Sequence, residues 1–173
     1  MAKTTFPDGI DRDALTPRDP RRVIAFRFAL FAIILALALF GLFGGGKALR
    51  TASDAPAARF AVEGHERLRN GNFFEVRFVV EARQPIADAV IAVPRELFHE
   101  VTVNSLVPAP AEEGSDDKDF LLHYGPLEPG ETLAVKIDGQ LNPPLFGTAR
   151  GAYRLLDGER EITRLPARLE VLP

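Results

Sequence analysis

The hydrophobic positions of this chain form two patterns, one continuous and one alternating. The continuous pattern runs from Val23 to Phe43 (VIAFRFALFAIILALALFGLF), and Arg27 is its single charged residue. As a helix, a run of this length reaches about 31 Å, which matches the hydrocarbon core of a bilayer. A helix also satisfies its own backbone polar groups in lipid, whereas burying this run in a soluble protein would need a large surrounding core. The pattern predicts a transmembrane helix over residues 23–43.

The alternating pattern begins at Arg59 and has the period of two that is typical of half-buried antiparallel strands. Its clearest segments are Phe73–Arg83 and Thr132–Leu141. The core positions predicted from these two segments are Phe74, Val76, Phe78, Leu133, Val135 and Ile137. Weaker strands are predicted at residues 59–63, 87–93, 100–106, 119–124, 149–155 and 160–171, the last interrupted at Pro166.

Turn-forming residues separate these strands. Asn70-Gly71-Asn72 precedes the first long strand, Pro129-Gly130 fits the centre of a type II turn, and Asp157-Gly158 is typical of a hairpin. The segment Pro108–Lys118 (PAPAEEGSDDK) is predicted to be an acidic, solvated loop without fixed geometry. About seven or eight short strands without a helical period predict that residues 59–173 are an all-β domain, an antiparallel β-sandwich.

Two segments flanking the predicted helix lack any regular pattern. Residues 1–22 are polar, contain three prolines and show neither a helical nor a strand period, so they are predicted to form a disordered cytoplasmic tail. Residues 44–58 (GGGKALRTASDAPAA) are rich in Gly, Ala and Ser, and are predicted to be a flexible linker. The chain is therefore expected to consist of a tail, a membrane helix, a linker and an exported domain.

Charge is distributed unevenly about the predicted helix. Residues 1–59 hold nine Lys/Arg and five Asp/Glu (net +4), whereas residues 60–173 hold twelve and nineteen (net −7). The basic residues near the helix are Arg12, Arg18, Arg21, Arg22 and Arg27 on its N-terminal side against Lys47, Arg50 and Arg59 beyond it. By the positive-inside rule, the N-terminus is expected in the cytoplasm and the β domain outside it. An acidic domain also argues against nucleic acid as a partner.

A cleaved signal peptide is the alternative interpretation of the apolar run. The run is longer than the usual apolar core of a signal peptide, and the Gly44–Lys47 segment that follows lacks a small-x-small cleavage site. An uncleaved signal anchor is therefore favoured, with the lipid bilayer as its first partner.

Small residues follow one face of the predicted helix. Ala25, Ala29, Ala32 and Ala36 are spaced by four, three and four residues, which would allow a second helix to approach closely. The alternative is that Ala is simply common in membrane spans. Arg27 is predicted to extend its side chain to the inner interface, or alternatively to pair with a carboxylate on a neighbouring helix.

One segment of the exported domain resembles a known family. Residues 124–131 (YGPLEPGE), followed by the alternating residues 132–137, are similar to the L-x-P-G-E turn of bacterial immunoglobulin-like domains. Residues 59–173 thus resemble the broad class of bacterial membrane-anchored immunoglobulin-like β-sandwich domains. The Cys–Trp–Cys core of antibody domains is missing, since the chain has neither residue. The resemblance implies an immunoglobulin-like fold, a periplasmic domain on the bacterial inner membrane and, by analogy, a role in adhesion or assembly.

The sequence offers no recognisable constellation for catalysis or cofactor binding. Without cysteine there is no disulfide, thiolate nucleophile or thiolate metal site. The histidines fall in different predicted segments without paired spacing, and His123 is expected on the exposed surface. The serines, which lie in neither a G-x-S-x-G nor an S-x-x-K motif, are Ser53, Ser105 and Ser115. The chain is therefore expected to have no cofactor, no metal, no evident small-molecule substrate and no enzymatic activity.

These features lead to one functional expectation and two alternatives. The chain is expected to be an accessory subunit of an integral-membrane complex, with its helix docked in the membrane and its β-sandwich bracing the outer face. The alternatives are a tethered module that binds protein or carbohydrate, and a periplasmic assembly factor. A carbohydrate platform is disfavoured because the chain has no Trp, and because both tyrosines, Tyr124 and Tyr153, alternate to the inward side.

Overall fold

The computed structural model describes residues 20–42, 48–142 and 147–172. The chain separates after Leu42 into two compact units, an N-terminal helix and a β domain. This division lies next to Phe43, the predicted end of the membrane helix.

Helix α1 extends from Pro20 to Leu39. Its 20 residues reach about 30 Å, and from Arg21 onward it is long and apolar enough to cross a membrane, with no side chain buried. Length and composition therefore qualify α1 as a membrane anchor or a signal sequence. The predicted tail over residues 1–22 is wrong at residues 20–22, which belong to α1 because Pro is favoured in the first turn of a helix. Residues 1–19 lie outside the described residues.

The helix ends earlier than the sequence predicted. Gly41 has a positive φ of 70°, and its N–H donates to the carbonyl of Ala38 at 2.9 Å. The N–H of Leu42 donates to the carbonyl of Leu37 at 3.1 Å. These two bonds form a Schellman motif, which ends a helix at a residue that adopts the left-handed conformation. The glycine inside the apolar run therefore stops α1 before Phe43.

The β domain contains eleven strands and one helical turn among its described residues. In chain order these are β1 (Leu49–Asp54), β2 (Ala58–Gly64), β3 (Arg67–Arg69), β4 (Phe73–Ala82), β5 (Ala89–Pro94), α2 (Arg95–Phe98), β6 (Val101–Val107), β7 (Glu112–Ser115), β8 (Asp119–His123), β9 (Thr132–Leu141), β10 (Gly147–Asp157) and β11 (Arg160–Leu172).

These strands form two sheets that share one core. The five-stranded sheet has the order β1-β2-β4-β9-β6 and the six-stranded sheet has the order β3-β11-β10-β5-β8-β7. All pairs are antiparallel except β3 with β11. The ring of Phe78 in the first sheet meets that of Tyr153 in the second, with 5.1 Å between their centroids. The prediction of an all-β domain is confirmed, although it undercounted the strands.

The two clearest predicted strands are confirmed, the first ending one residue early at Ala82. Strands β4 and β9 pair along their length, and Val76, Phe78, Val135 and Ile137 are buried, as expected from the alternation. The other two predicted core residues, Phe74 and Leu133, are partly buried against the same core. Tyr124 and Tyr153 also pack against it, on the inward side that the alternation predicted.

The predicted linker over residues 44–58 is wrong for most of its described part. Leu49–Asp54 forms β1 and pairs with β2, which begins at Ala58. All but one of the β1 side chains are exposed, so its sequence lacks the alternation of apolar and polar residues that predicts a strand. Backbone pairing with β2, and a hydrogen bond of 2.7 Å between the hydroxyls of Ser53 and Thr163 of β11, hold it in place. Residues 43–47 lie outside the described residues.

The acidic segment 108–118 contains strand β7, so the prediction that it is an irregular loop is wrong in that respect. Strand β7 pairs with β8. The carboxylate of Asp116 accepts the N–H groups of Lys118 and Asp119 at 2.8 and 2.6 Å and so closes the connecting turn. These N–H groups hold the pKa of Asp116 below its usual range. Local hydrogen bonding gives this segment the fixed geometry that its composition did not indicate.

Predicted turns occur where expected. Gly130 has a φ of 91°, and the N–H of Glu131 donates to the carbonyl of Glu128 at 3.0 Å, as a type II turn around Pro129-Gly130 requires. Strands β10 and β11 form a hairpin closed at Asp157 and Arg160. The strand predicted to be interrupted at Pro166 is continuous there: β11 runs through this proline, where β3 does not pair with it, and a strand edge is a position that tolerates Pro.

Candidate interaction surfaces

The predicted helix–helix residues lie on one face of α1. At about 100° per residue, Ala25, Ala29, Ala32 and Ala36 fall within an arc of about 60°. Arg27 lies on the opposite face, as does the remaining alanine of the helix, Ala38. The helix therefore has one narrow face of small residues and a wide face of bulky ones, with its single internal charge away from the small face.

The histidines do not converge on a metal site. No group of three or more His, Asp or Glu side chains suited to a metal is found in the described parts of the chain. His123 lies on the outer face of its sheet, but its side chain is only 25% exposed because Nδ1 lies 2.7 Å from Oδ2 of Asp88. The other oxygen of Asp88 accepts the N–H of Gly125 at 3.1 Å. This arrangement fixes the chain around the end of β8 and was not visible in the sequence.

Two of the three serines, Ser53 and Ser105, form hydrogen bonds that link strands. Besides the bond from Ser53 to β11, the hydroxyl of Ser105 donates to Oδ2 of Asp138 at 2.7 Å. This hydrogen bond, and then Lys136 at 3.1 Å, lower the pKa of Asp138. Lys136 also lies 3.2 Å from Glu75 on the next strand, and its own pKa is raised, first by Asp138. These groups form a cross-strand network on the outer face of the five-stranded sheet.

A second network surrounds the buried carboxylate of Asp119, which is 4% exposed. Its partner is the guanidinium of Arg154, which also lies 3.6 Å from Asp116 and 3.8 Å from Glu161. Strand β5 lies between β8 and β10, so this pair crosses one intervening strand. The alternation of β8 places Asp119 on the outer face, but its partner is 35 residues away, which sequence spacing does not reveal.

Arginines occupy opposed positions on the same outer face of the six-stranded sheet. Arg150 lies opposite Arg168, and Arg154 lies opposite Arg164. Like charges at opposed positions destabilise a sheet. Glu161, at 2.6 Å from Arg164, and Glu170, at 3.3 Å from Arg168, offset that repulsion. This face therefore carries a network of ion pairs rather than a row of unbalanced positive charges.

A groove opens between the two sheets where β6 and β7 form their edges. Its volume is about 560 Å³. The side chains that line it are largely apolar and come from both sheets, chiefly Val93, Leu106, Phe120, Leu122 and Ile137, together with Phe98 of α2. Val103 of β6 also lines the groove and is 44% exposed, although it pairs with Gly139 on the core face of β9. No periodic pattern in the sequence indicates this groove, because it arises from the order of the strands in the two sheets.

The structure thus offers two surfaces suited to other molecules, the small-residue face of α1 and the groove beside β6. Comparison with protein-family models and with curated protein sequences gives no match for this chain.

Proposed function

We propose that this chain is a non-catalytic accessory subunit of an integral-membrane protein complex. In this proposal α1 is an uncleaved single-pass anchor that docks on partner helices, and the β domain binds the outer face of the complex. The observation that carries the proposal is α1 itself, which is about 30 Å long, has no buried side chain from Arg21 onward and presents a face of small residues.

The orientation that we propose has the N-terminus in the cytoplasm. Arg21 and Arg22 lie in the first turn of α1, whereas its last turn has no basic residue. Lys/Arg residues are retained on the cytoplasmic side of a span. The β domain would then lie in the periplasm of a bacterium, as the resemblance to bacterial immunoglobulin-like domains implies. Two packed, mostly antiparallel sheets are compatible with that fold.

The polar groups of the β domain support a binding role over a catalytic one. The two outer-face networks described above consist of side chains that satisfy one another across strands. Ser53 and Ser105 have Thr163 and Asp138 as hydrogen-bond partners and not a histidine. Because both tyrosines pack against the core, no aromatic platform for a sugar is found in the described part of the domain.

Substitutions on α1 test the proposal. Replacing Ala29 and Ala32 with Leu keeps the helix apolar but prevents close approach of a second helix. We expect the double variant to insert normally and to co-purify with its membrane partners about tenfold less, which corresponds to about 1.4 kcal/mol. The matched control is Ala38→Leu, which adds the same side chain on the opposite face and should co-purify as the wild type does.

Two outcomes would contradict the proposal. If the double variant and the control retain partners equally, the small face is not the contact. If the wild type is extracted alone in mild detergent, the chain is not a subunit and a tethered binding module explains it better.

A further inference from the structure

The groove beside β6 borders an unpaired strand edge. Strand β6 ends the five-stranded sheet, and of the described strands only β9 pairs with it. Strand β7 ends the other sheet in the same way. A strand edge carries backbone N–H and C=O groups at a spacing that another extended chain can match. Strand β6 has seven residues and an irregular register between Val103 and Ser105, so a segment that pairs with its edge would have to follow the same irregularity.

The lining of the groove complements side chains on alternate positions of such a segment. Successive side chains of a strand point to opposite sides, so every second residue of an added strand would point between the sheets. There it would meet Leu106, Phe120 and Ile137, which line the groove from both sheets. The exposed Val103 lies on the same face of β6 and would be covered. The chemistry of the groove thus selects apolar side chains at alternate positions.

Charge defines the partner further. Glu113 is the one charged residue among the described residues that line the groove. The turn that follows β7 adds little to this charge, because Asp116 lies 3.6 Å from Arg154 and Asp117 is followed by Lys118. An occupant with a Lys or Arg beside its apolar positions would therefore gain an ion pair, whereas an acidic one would be repelled.

We infer that the edge of β6 binds an extended segment of a partner protein, with apolar residues at alternate positions and at least one Lys or Arg. The segment adds a strand to the five-stranded sheet and covers the groove. This inference rests on the proposed function, since it names the kind of segment that the β domain would bind on a partner subunit.

A peptide selection tests this inference without knowledge of the partner. The full-length chain in lipid nanodiscs is used to select from a phage library of random nine-residue peptides, and the selected peptides are synthesised for Kd measurement by fluorescence anisotropy. We expect them to share alternating apolar positions and a basic residue. Methylating their backbone N–H groups at one set of alternate positions should weaken binding at least about tenfold, since an added strand bonds through alternate residues.

Variants of the chain locate the site. Val103→Lys should weaken binding at least about tenfold, and thermal unfolding should be unchanged because Lys is well tolerated on strand edges. Glu113→Gln should lower the affinity for basic peptides about two- to fivefold, which is the effect expected for a partly exposed ion pair. It should leave the affinity for the Lys→Met versions of these peptides unchanged. The matched control is Leu49→Lys on β1, the opposite edge of the same sheet, which should bind as the wild type does.

Several results would overturn the inference. These are the failure to select any peptide with a Kd below about 1 mM, equal binding by Val103→Lys and wild type, or selected peptides without basic residues. A dimer in analytical ultracentrifugation that Val103→Lys dissociates would instead identify a second copy of this chain as the occupant. Because co-purification of the α1 variants does not involve the groove, failure of this inference and failure of the proposed function can be told apart.

Discussion

Replacing Phe78 with Ala should be among the most destabilising single changes in the β domain. Phe78 is fully buried in β4. Its ring stacks on Phe60 of the adjacent strand, with 6.2 Å between centroids, and meets Tyr153 of the opposite sheet edge-on at 5.1 Å. Truncation therefore opens a cavity where the two sheets meet and also removes both ring contacts.

The expected cost follows from these contacts. Truncating a buried Phe to Ala costs about 3–5 kcal/mol, and each aromatic pair contributes about 0.5–1.5 kcal/mol, part of which that range already includes. We therefore expect the free energy of unfolding to fall by about 4–5 kcal/mol. The assay is urea unfolding of the full-length chain in mild detergent, followed by tyrosine fluorescence. The chain has two tyrosines, and both lie in the β domain, so the signal reports on that unit.

Phe73→Ala is the matched control, five residues earlier on the same strand. Phe73 is 71% exposed, so the same truncation should change the free energy of unfolding by about 0.5 kcal/mol or less. Equal costs for the two variants, or a cost below about 1 kcal/mol for Phe78→Ala, would contradict the burial of Phe78 on the core face of β4.

Three further predictions concern backbone packing and titration. Gly151→Ala should cost about 1–3 kcal/mol, because its Cβ would lie 2.7 Å from Cβ of Pro94, whereas Gly114→Ala, with its nearest neighbour at 3.7 Å, should be nearly neutral by thermal unfolding. Asp157 accepts hydrogen bonds from backbone N–H groups, above all that of Asp88, and these bonds lower its pKa. The stability they add is present above the ordinary pKa of 3.8 and is lost as the pH falls through the lower folded value, so Asp157→Asn and wild type should converge in acid unfolding only below pH 3.8. Burial, and then the charge of Glu113, raise the pKa of Tyr124 to about 12 from 10.0, so absorbance of the folded chain at 295 nm should rise about two pH units later than in urea, and stability should fall as the pH rises from 10 through 12.

The elements that could be predicted from the sequence are those in which apolar and polar side chains alternate according to burial. Strand β9 was located to the residue because one of its faces is buried and the other is solvated, which produces the alternation. Strands β1 and β7 were missed because their side chains are mostly exposed and their pairing depends on β2 and β8. Gly41 is a signal for the early end of α1. The prediction nevertheless placed the end at Phe43, because the residues after Gly41 continue the apolar run.

The two interaction surfaces differ in whether their residues are close together in the sequence. The small-residue face of α1 follows from helical geometry, so the spacing of its alanines placed them correctly on one face. Whether another helix uses that face remains a prediction. The groove beside β6 depends on which strands end each sheet. The ion pair of Asp119 and Arg154 joins β8 to β10 across the intervening strand β5. Such non-local arrangements are set by topology and leave no periodic trace in the chain.

Native mass spectrometry of the membrane fraction tests the central claim most directly. The chain, carrying an affinity tag and expressed at its natural level, would be extracted in mild detergent and its intact assemblies weighed. The account predicts that this 19.0 kDa chain is recovered in a defined, larger complex with an integral-membrane protein, and that Ala29→Leu/Ala32→Leu depletes the complex whereas Ala38→Leu does not. Recovery of the wild-type chain alone, at the mass of a single copy, would contradict the account.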